Sequence, residues 1–219
     1  HTRLQGDWSS DVCSSDLVAL NKGKADSVEE VLKRALIPRD LPAPDEVKAE
    51  GIIVLDTRTA KEYEQGFIPG SLSLPLSINF AIWAGTLFKP KTKFFVIANL
   101  GKEKEAIIRL ARIGYDNIVG VLKGGFEAYK SSGLPLDTIR NIEAADVTPE
   151  MIVYDIRNPS ELEHGHIENV RNVPLSEINL KALEGDIESL IPKDTPIYIH
   201  CKGGARSIMA CSIDRKSTR

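Results

Sequence analysis

Residues 54–77 read VLDTRTAKEYEQGFIPGSLSLPLS and residues 153–176 read VYDIRNPSELEHGHIENVRNVPLS, so one pattern occurs twice in this 219-residue chain. A shift of 99 positions aligns the two stretches and pairs identical residues: Asp56 with Asp155, Arg58 with Arg157, Glu62 with Glu161 and Gly66 with Gly165. Solenoid repeats are only about 20 to 50 residues long. The sequence therefore predicts two copies of one domain.

Each copy alternates strand-like and helix-like segments. GIIVLDTR and KFFVIA are short apolar runs typical of buried strands, while EKEAIIRLARIGY has apolar residues at helical spacing. This alternation favours parallel strands joined by right-handed helical crossovers. The expected fold class is α/β: two domains, each a small, mainly parallel sheet flanked by helices and each with its own core. The stretch around FAIWAG (residues 80–85) is expected to be a loop.

Both ends of the chain differ in character from the rest. HTRLQGDWSSDVCSSDL at the start and DRKSTR at the end resemble translated sequencing-adapter sequence, although native disordered termini would also have this composition. We expect neither end to be helical, and we expect the native protein to be longer at both ends. The predicted organisation is: an adapter-derived segment 1–17; a lead-in 18–45 with one amphipathic helix; a first copy 46–133; a linker 134–145; a second copy 146–213; and an adapter-derived tail 214–219.

The amino-acid composition limits which partners and which cellular compartment we expect for this protein. The net charge is −3, and the longest apolar runs are far too short to cross a bilayer, so neither nucleic acid nor a membrane is an expected partner. Of the three cysteines, Cys13 lies in the adapter-like start, which leaves Cys201 and Cys211. Two cysteines are no disulfide framework, and this fits a reducing, cytoplasmic location.

The sequence CKGGARS, which begins at Cys201, is the strongest chemical signal. It follows the strand-like run PIYIH, and it combines a glycine-bearing loop with residues that start a helix. Backbone N–H groups of such a loop and helix N-terminus favour a negative charge. Together with Lys202 and Arg206 they should lower the thiol pKa from its usual value near ~8.5. Cys201 is thus predicted to be a nucleophile, and the alternative is an inert core cysteine.

The combination of C-x4-R-S with the preceding D-x-R and E-x-x-x-G-H-I resembles the rhodanese (sulfurtransferase) family. The related dual-specificity phosphatases have C-x5-R, so the shorter loop favours sulfur over phosphate as the transferred group. The resemblance implies transfer of sulfane sulfur from thiosulfate or a thiol persulfide to a thiol acceptor, with no cofactor. It also implies these roles: Cys201 as nucleophile; Lys202, Gly203, Gly204, Ala205, Arg206 and Ser207 as the substrate-binding loop; and Asp155, Arg157 and Glu161 in support.

The first copy lacks this cysteine. KFFVIA leads directly into Asn99, which we place at the position of Cys201, and Glu103 and Glu105 follow where an anion would have to bind. An amide cannot become a thiolate, so this degenerate site is predicted to be inert in sulfur transfer. Packing, or presentation of a partner surface, is the expected role of the first copy.

Three histidines and Cys211 lie near the predicted site. His164 and His166 are too few to hold zinc without further ligands, so no metal is expected, and both are assigned to a structural turn. His200 is expected to point away from the cysteine because side chains alternate along a strand. Cys211 is expected to be an ordinary buried thiol.

The second copy ends sooner than the first after the corresponding strand. We expect it to lack the last strand and helix and most of the helix after the cysteine loop, which leaves an exposed sheet edge and an incomplete core.

The arrangement of a cysteine-free copy before a cysteine-bearing one also resembles the end of fusion proteins that begin with a metallo-β-lactamase-like persulfide dioxygenase. This resemblance implies an upstream metal-dependent dioxygenase domain in the parent protein. The alternative from another class is a non-catalytic rhodanese-like binding or scaffold module. Faster alkylation of Cys201 than of Cys211 would distinguish the enzyme from the scaffold.

Overall fold

The computed structural model describes residues 26–168, 170–192 and 195–217. Helices and strands alternate through both copies, as the sequence predicts. In and before the first copy they are α1 (Val28–Ala35), β1 (Pro38–Arg39), α2 (Pro44–Glu50), β2 (Ile52–Asp56), α3 (Ala60–Gln65), β3 (Leu72–Ser73), α4 (Phe80–Leu87), β4 (Lys93–Ile97), α5 (Glu103–Arg112), β5 (Ile118–Leu122) and α6 (Gly125–Ser131). In the second copy they are β6 (Ile152–Asp155), α7 (Pro159–Leu162), β7 (Arg171–Asn172), α8 (Leu175–Glu184), β8 (Ile197–His200) and α9 (Ala205–Ser217), with 3₁₀ turns at Ala144–Asp146 and Ile187–Ser189.

The strands form two sheets in which every pairing is parallel. The first sheet has the order β1-β5-β4-β2-β3 and the second has the order β7-β6-β8. The predicted α/β class with mainly parallel sheets is therefore confirmed. The strand of the lead-in, β1, forms one edge of the first sheet.

Side-chain caps explain where several helices begin. Ser27 and Glu30 form a reciprocal capping box at α1, and Thr59 and Glu62 form another at α3. In the second copy the Glu161 carboxylate accepts a hydrogen bond from the backbone N–H of Asn158 at 3.0 Å. Each such contact satisfies N–H groups that the helix itself leaves unpaired.

Two expectations about helices were wrong. Residues 80–85 belong to helix α4, because Phe80, Ala84 and Leu87 recur at helical spacing and are all buried. Helix α9 has 13 residues and continues through 214–217, so the helix after the cysteine loop is long and the adapter-like tail is helical there. The other adapter-like segment, residues 1–17, lies outside the described residues.

The two copies share one core, contrary to the expectation that each has its own, and the first copy has a further apolar cluster of its own. One cluster of buried apolar side chains includes Leu74 and Phe80 from the first copy and Ile178 and Met209 from the second. Polar contacts reinforce it: the side-chain amide of buried Asn179 in α8 donates to the carbonyls of the last two residues of α4, at 3.3 Å each. The packing of each copy therefore depends on the other.

The second sheet has an open edge, as predicted. Among the described residues, β8 pairs with β6 alone, whereas its counterpart β4 lies between β2 and β5. All four residues of β8 are half-buried, but four of the five residues in β4 are buried. Within the described ranges, no helix is long and apolar enough to cross a membrane.

Candidate active site

Cys201 lies between the end of β8 and the start of α9, at the carboxyl edge of the second sheet. Gly204 has φ of 82°, a conformation that favours glycine, and it directs its backbone N–H to the sulfur of Cys201 at 3.2 Å. The sulfur also lies 3.7 Å from the hydroxyl oxygen of Ser207. The loop therefore curves around the thiol, as expected for a site that holds an anion.

Two opposing effects determine the ionisation of Cys201. Burial of the thiol disfavours the thiolate, but hydrogen bonds from the backbone of Ser207, Gly203 and Gly204, together with the contact to the Ser207 side chain, outweigh it. The net result is a lowered pKa for Cys201. Since the thiolate is the nucleophile of cysteine chemistry, this environment suits a reactive cysteine.

Arg206 is held in place by Glu161 and keeps further N–H donors beside Cys201. Its two terminal nitrogens donate to the two carboxylate oxygens of Glu161 at 2.6 and 2.8 Å. Hydrogen bonds from Arg206 lower the pKa of Glu161 to about 2. The bidentate geometry fixes the orientation of the guanidinium. Lys202 is exposed in the loop, and Arg206 lines the cleft beside Cys201, so both cations of the expected pair lie at the site.

Asp155 and Arg157 form an ion pair at the end of β6, beside the strand that leads into the loop. The Arg157 guanidinium donates to both oxygens of the fully buried Asp155 carboxylate, at 2.6 to 3.0 Å, and to the carbonyl of Gly165 at 3.0 Å. This ion pair joins the end of β6 to the turn that contains His164 and His166. Nε2 of His200 lies 3.2 Å from Asp155 without the alignment of a hydrogen bond. Among the described residues no three His, Cys, Asp or Glu side chains form a group that could hold a metal.

A cleft of about 390 Å³ lies above the cysteine, between the two copies. Cys201, Gly203, Ala205, Arg206 and Met209 form one side. The other side comes from the first copy and was not anticipated from the sequence; it consists of Leu74, Pro75, Ser77, Ile78, Asn79 and Trp83.

One signal in the sequence could have indicated this wall. Ile78 and Trp83 are large apolar residues in a stretch expected to be a loop, and the Ile78 side chain is 94% exposed. Large apolar groups on a surface often mark a binding site. Arg109 holds this segment in place by donating to the carbonyl of Ser77 at 2.6 Å.

The strand register corrects the predicted position of the degenerate site. Asp56 pairs with Ile97 in the first sheet as Asp155 pairs with His200 in the second. The residue that corresponds to Cys201 is therefore Ala98, and Asn99 falls one position later. Alignment by sequence alone missed this because the loops that follow β4 and β8 differ.

The surroundings of Ala98 retain part of the second copy's pattern. The Asp56–Arg58 ion pair is present and buried, with a nitrogen-to-oxygen distance of 2.6 Å. Glu62, which corresponds to Glu161, accepts a hydrogen bond from the Asn99 side chain at 3.0 Å. The first turn of α5 carries Glu103 and Glu105. The first copy thus keeps the ion pair and the glutamate that flank the site, but Ala98 has a methyl group where Cys201 has a thiol.

Comparison with known proteins agrees with these features. The family model described as "Rhodanese-like domain" matches residues 43–132 and 137–217. The chain belongs to the rhodanese-like family. A 63-residue stretch is 38% identical to the uncharacterized protein YqhL of Bacillus subtilis (strain 168), and it covers 29% of this chain and 45% of that protein.

A second curated relative is a sulfurtransferase of Allochromatium vinosum. It is 35% identical over 65 residues, which cover 30% of this chain and 55% of the relative. The chain thus spans about half the length of the curated relatives it matches. Among solved structures, the thiosulfate sulfurtransferase of Pseudomonas aeruginosa is 18% identical, with a TM-score of 0.36, over 91% of this chain and 42% of that one.

The second thiol of this rhodanese-like chain has a different environment. Cys211 lies in the middle of α9 and retains some exposed surface, yet burial raises the pKa of its thiol to about 11. At neutral pH it is protonated almost entirely. The two cysteines therefore differ in reactivity for a reason that the structure makes explicit.

Proposed function

We propose that this rhodanese-like chain is a sulfurtransferase that carries sulfane sulfur as a persulfide on Cys201. The observation that supports this most directly is the Cys201 sulfur at the start of α9, with the Gly204 N–H directed at it and the cleft in front of it. The proposed donor is thiosulfate or a low-molecular-weight thiol persulfide, and the proposed acceptor is a thiol.

The first half-reaction is a displacement at sulfur. The Cys201 thiolate attacks the sulfane sulfur of the donor, and a new S–S bond forms as the donor's S–S bond breaks. Sulfite leaves with the electron pair when thiosulfate is the donor, and a thiolate leaves when a persulfide is the donor. The terminal sulfur of the resulting persulfide is an anion that the loop N–H groups can stabilise.

The second half-reaction reverses the direction of transfer. An acceptor thiolate attacks the terminal sulfur, and the Cys201 thiolate leaves and is again ready for a donor. No net oxidation or reduction occurs over the cycle, so no redox cofactor is needed. Lys202 would attract anionic donors, while Glu161 keeps the Arg206 guanidinium oriented beside the loop.

The larger setting of this activity is also a proposal. The resemblance to persulfide dioxygenase fusions supports a role in the oxidation of sulfide or persulfides within a longer protein. Reading the genomic sequence on both sides of this segment would test it, and a reading frame without a dioxygenase domain would contradict it.

The activity is tested by replacing each cysteine in turn. Cys201→Ser should abolish transfer of sulfur from thiosulfate to cyanide or to a thiol, because the hydroxyl is not ionised at neutral pH. Cys211→Ser is the matched control and should retain most of the activity, since Cys211 lies outside the loop. Turnover by Cys201→Ser above the uncatalysed rate would refute the proposal.

A further inference from the structure

Helix α9 contacts the first copy along one face. Ile208, Ser212 and Arg215 recur at the spacing of a single helical stripe, and each contacts a residue of the first copy or of the segment that follows it. Met209, Ala210 and Ile213 are buried in the shared core. The helix that begins at the cysteine loop is therefore held on two sides.

Ser212 is at the centre of this stripe. Its hydroxyl oxygen accepts a hydrogen bond from the backbone N–H of Ser73 at 3.1 Å, and its hydroxyl donates to the carbonyl of Met209 at 2.7 Å. Both Ser73 and Ser212 are completely buried. Ser73 belongs to β3, the edge strand of the first sheet. Without Ser212, the backbone N–H of Ser73 would be buried without a partner. Leaving such a donor unpaired is costly.

The neighbouring positions of the stripe strengthen this attachment. Ile208 packs against Tyr63 and Phe67, whose rings stack with their centroids 4.2 Å apart. One turn beyond Ser212, Arg215 forms an ion pair with Asp137 at 2.6 Å. Apolar, hydrogen-bonded and ionic contacts thus follow one another along α9.

The same helix is joined directly to the cysteine loop. The backbone N–H of Ile208 donates to the carbonyl of Gly204 at 3.1 Å, and the Gly204 N–H in turn points at the Cys201 sulfur at 3.2 Å. The Ser207 hydroxyl donates to the same Gly204 carbonyl at 2.7 Å. A shift of α9 would therefore move the donors that stabilise the thiolate.

We propose that Ser212 is a positioning residue for the Cys201 loop. Through its contact with Ser212, the cysteine-free first copy fixes the position of α9 and so of the loop. This inference rests on one part of the proposed function, namely that Cys201 is the reactive thiol. It assigns the first copy a part in catalysis although it carries no nucleophile. The β3 edge serves as an anchor for the helix, and Ser212 makes the polar contact between them.

Few charged groups besides the loop's own surround the thiol. Among the described residues, Arg206 with its partner Glu161 lies on one side, and Arg157 with its partner Asp155 lies next to that pair. His200 precedes Cys201 on β8, and Cys211 lies further along α9. The residues of the first copy that line the cleft are uncharged. A change in the titration of Cys201 after a substitution at Ser212 would therefore report on the loop donors, because the substitution adds and removes no charge.

The test is site-resolved alkylation of the full chain with iodoacetamide as a function of pH. Ser212→Ala should shift the Cys201 profile to higher pH and slow its labelling at neutral pH by about tenfold, since a misplacement of ~1 Å can cost up to about a hundredfold. Cys211 should label faster, because α9 is less firmly held. Ser212→Thr, which keeps the hydroxyl, should restore both rates towards those of the unsubstituted chain.

Ser131→Ala is the matched control. The Ser131 hydroxyl in α6 also bonds to a carbonyl of its own helix, at 2.8 Å, but in an exposed position away from the site. The Ser131→Ala substitution should leave the labelling rates of both cysteines unchanged. General unfolding would strongly accelerate the labelling of Cys211 and would give Cys201 the pKa of an ordinary thiol. Circular dichroism would detect such unfolding.

The outcomes separate this inference from the proposed function. A folded Ser212→Ala chain with an unchanged Cys201 profile would overturn the positioning role and leave the sulfurtransferase proposal intact. If that variant does not fold, Ser212→Cys replaces the hydroxyl with a thiol, a weaker hydrogen-bond acceptor, and an unchanged Cys201 profile there would overturn the role equally. An unsubstituted chain in which Cys201 labels no faster than Cys211 would overturn both proposals.

Discussion

At the scale of single residues, the site depends on how charges are paired. The Glu161 and Arg206 side chains are 31% and 17% exposed, so their bidentate contact is partly shielded from water. Asp155 and Arg157 form a second pair at the end of β6. The loop N–H groups, Lys202 and the N–H groups of Arg206 that Glu161 does not use can all meet an anionic sulfur.

The depressed pKa of Glu161 predicts a pH-dependent contribution to stability. A carboxyl whose pKa falls from 4.5 to about 2 on folding stabilises the fold above its ordinary pKa, and this stabilisation is lost as the pH falls towards 2. Glu161→Gln should therefore lower Tm by about 2–4 °C near neutral pH, and the difference should shrink below pH 4.5. Thermal melts of both chains across this range measure it.

Glu163→Gln is a suitable control, because Glu163 is an exposed residue close to Glu161 in the sequence. The effect of Glu163→Gln on Tm should be small at every pH. A Tm difference for Glu161→Gln that persists undiminished at pH 2 would show that the ion pair with Arg206 is not its source.

At the scale of elements, strand register decides which residue of the first copy takes the position of Cys201. Ala98 follows β4 as Cys201 follows β8, but the loops that follow them differ. The first turn of α5 carries Glu103 and Glu105, whereas the first turn of α9 carries Arg206 and no acidic residue. Restoring the thiol alone should thus not restore the anion site.

The double variant Ala98→Cys/Cys201→Ser tests this expectation. It should remain inactive in sulfur transfer, because the acidic first turn of α5 disfavours a thiolate at residue 98. Ala98→Cys alone should retain the activity of Cys201 and serves as the control for folding. Substantial turnover by the double variant would mean that the first copy has a competent loop after all.

Local patterns in the sequence predicted the elements that have local causes. The amphipathic helix of the lead-in and the apolar strand β4 are examples, as is the Cys201 loop itself. Helix α4 was missed because its apolar residues gave no clear amphipathic pattern. Helix α9 was expected to be short because only IMACSI lies between the cysteine loop and the adapter-like tail. The Ser73–Ser212 contact joins residues far apart in the sequence, and no local pattern could reveal it.

At the scale of the whole molecule, two features have opposite effects on the second copy. The shared core stabilises it through the first copy, with Ile178 and Met209 packed into a cluster that also contains Phe80. Strand β8, however, has an open edge among the described residues. We therefore expect weak protection of the backbone at this edge only, and not through the whole second copy.

Hydrogen exchange should show this difference. Backbone amides of β8 should exchange faster than those of β4, because β8 is paired on one side only. The central strands β2 and β6, which are each paired on both sides, should be protected more equally and provide the internal control. Equal protection of β8 and β4 would show that the edge is stable, and uniformly weak protection of β6 and β8 would show that the whole second copy is loose.

The most direct test of the central claim is the mass of the protein after exposure to a sulfur donor. The full chain, incubated with thiosulfate or a thiol persulfide and analysed without reductant, should gain one sulfur atom. Peptide mapping should locate the sulfur on Cys201, and a thiol acceptor should remove it. A chain that gains no sulfur, or that gains it equally in the Cys201→Ser variant, would contradict the account.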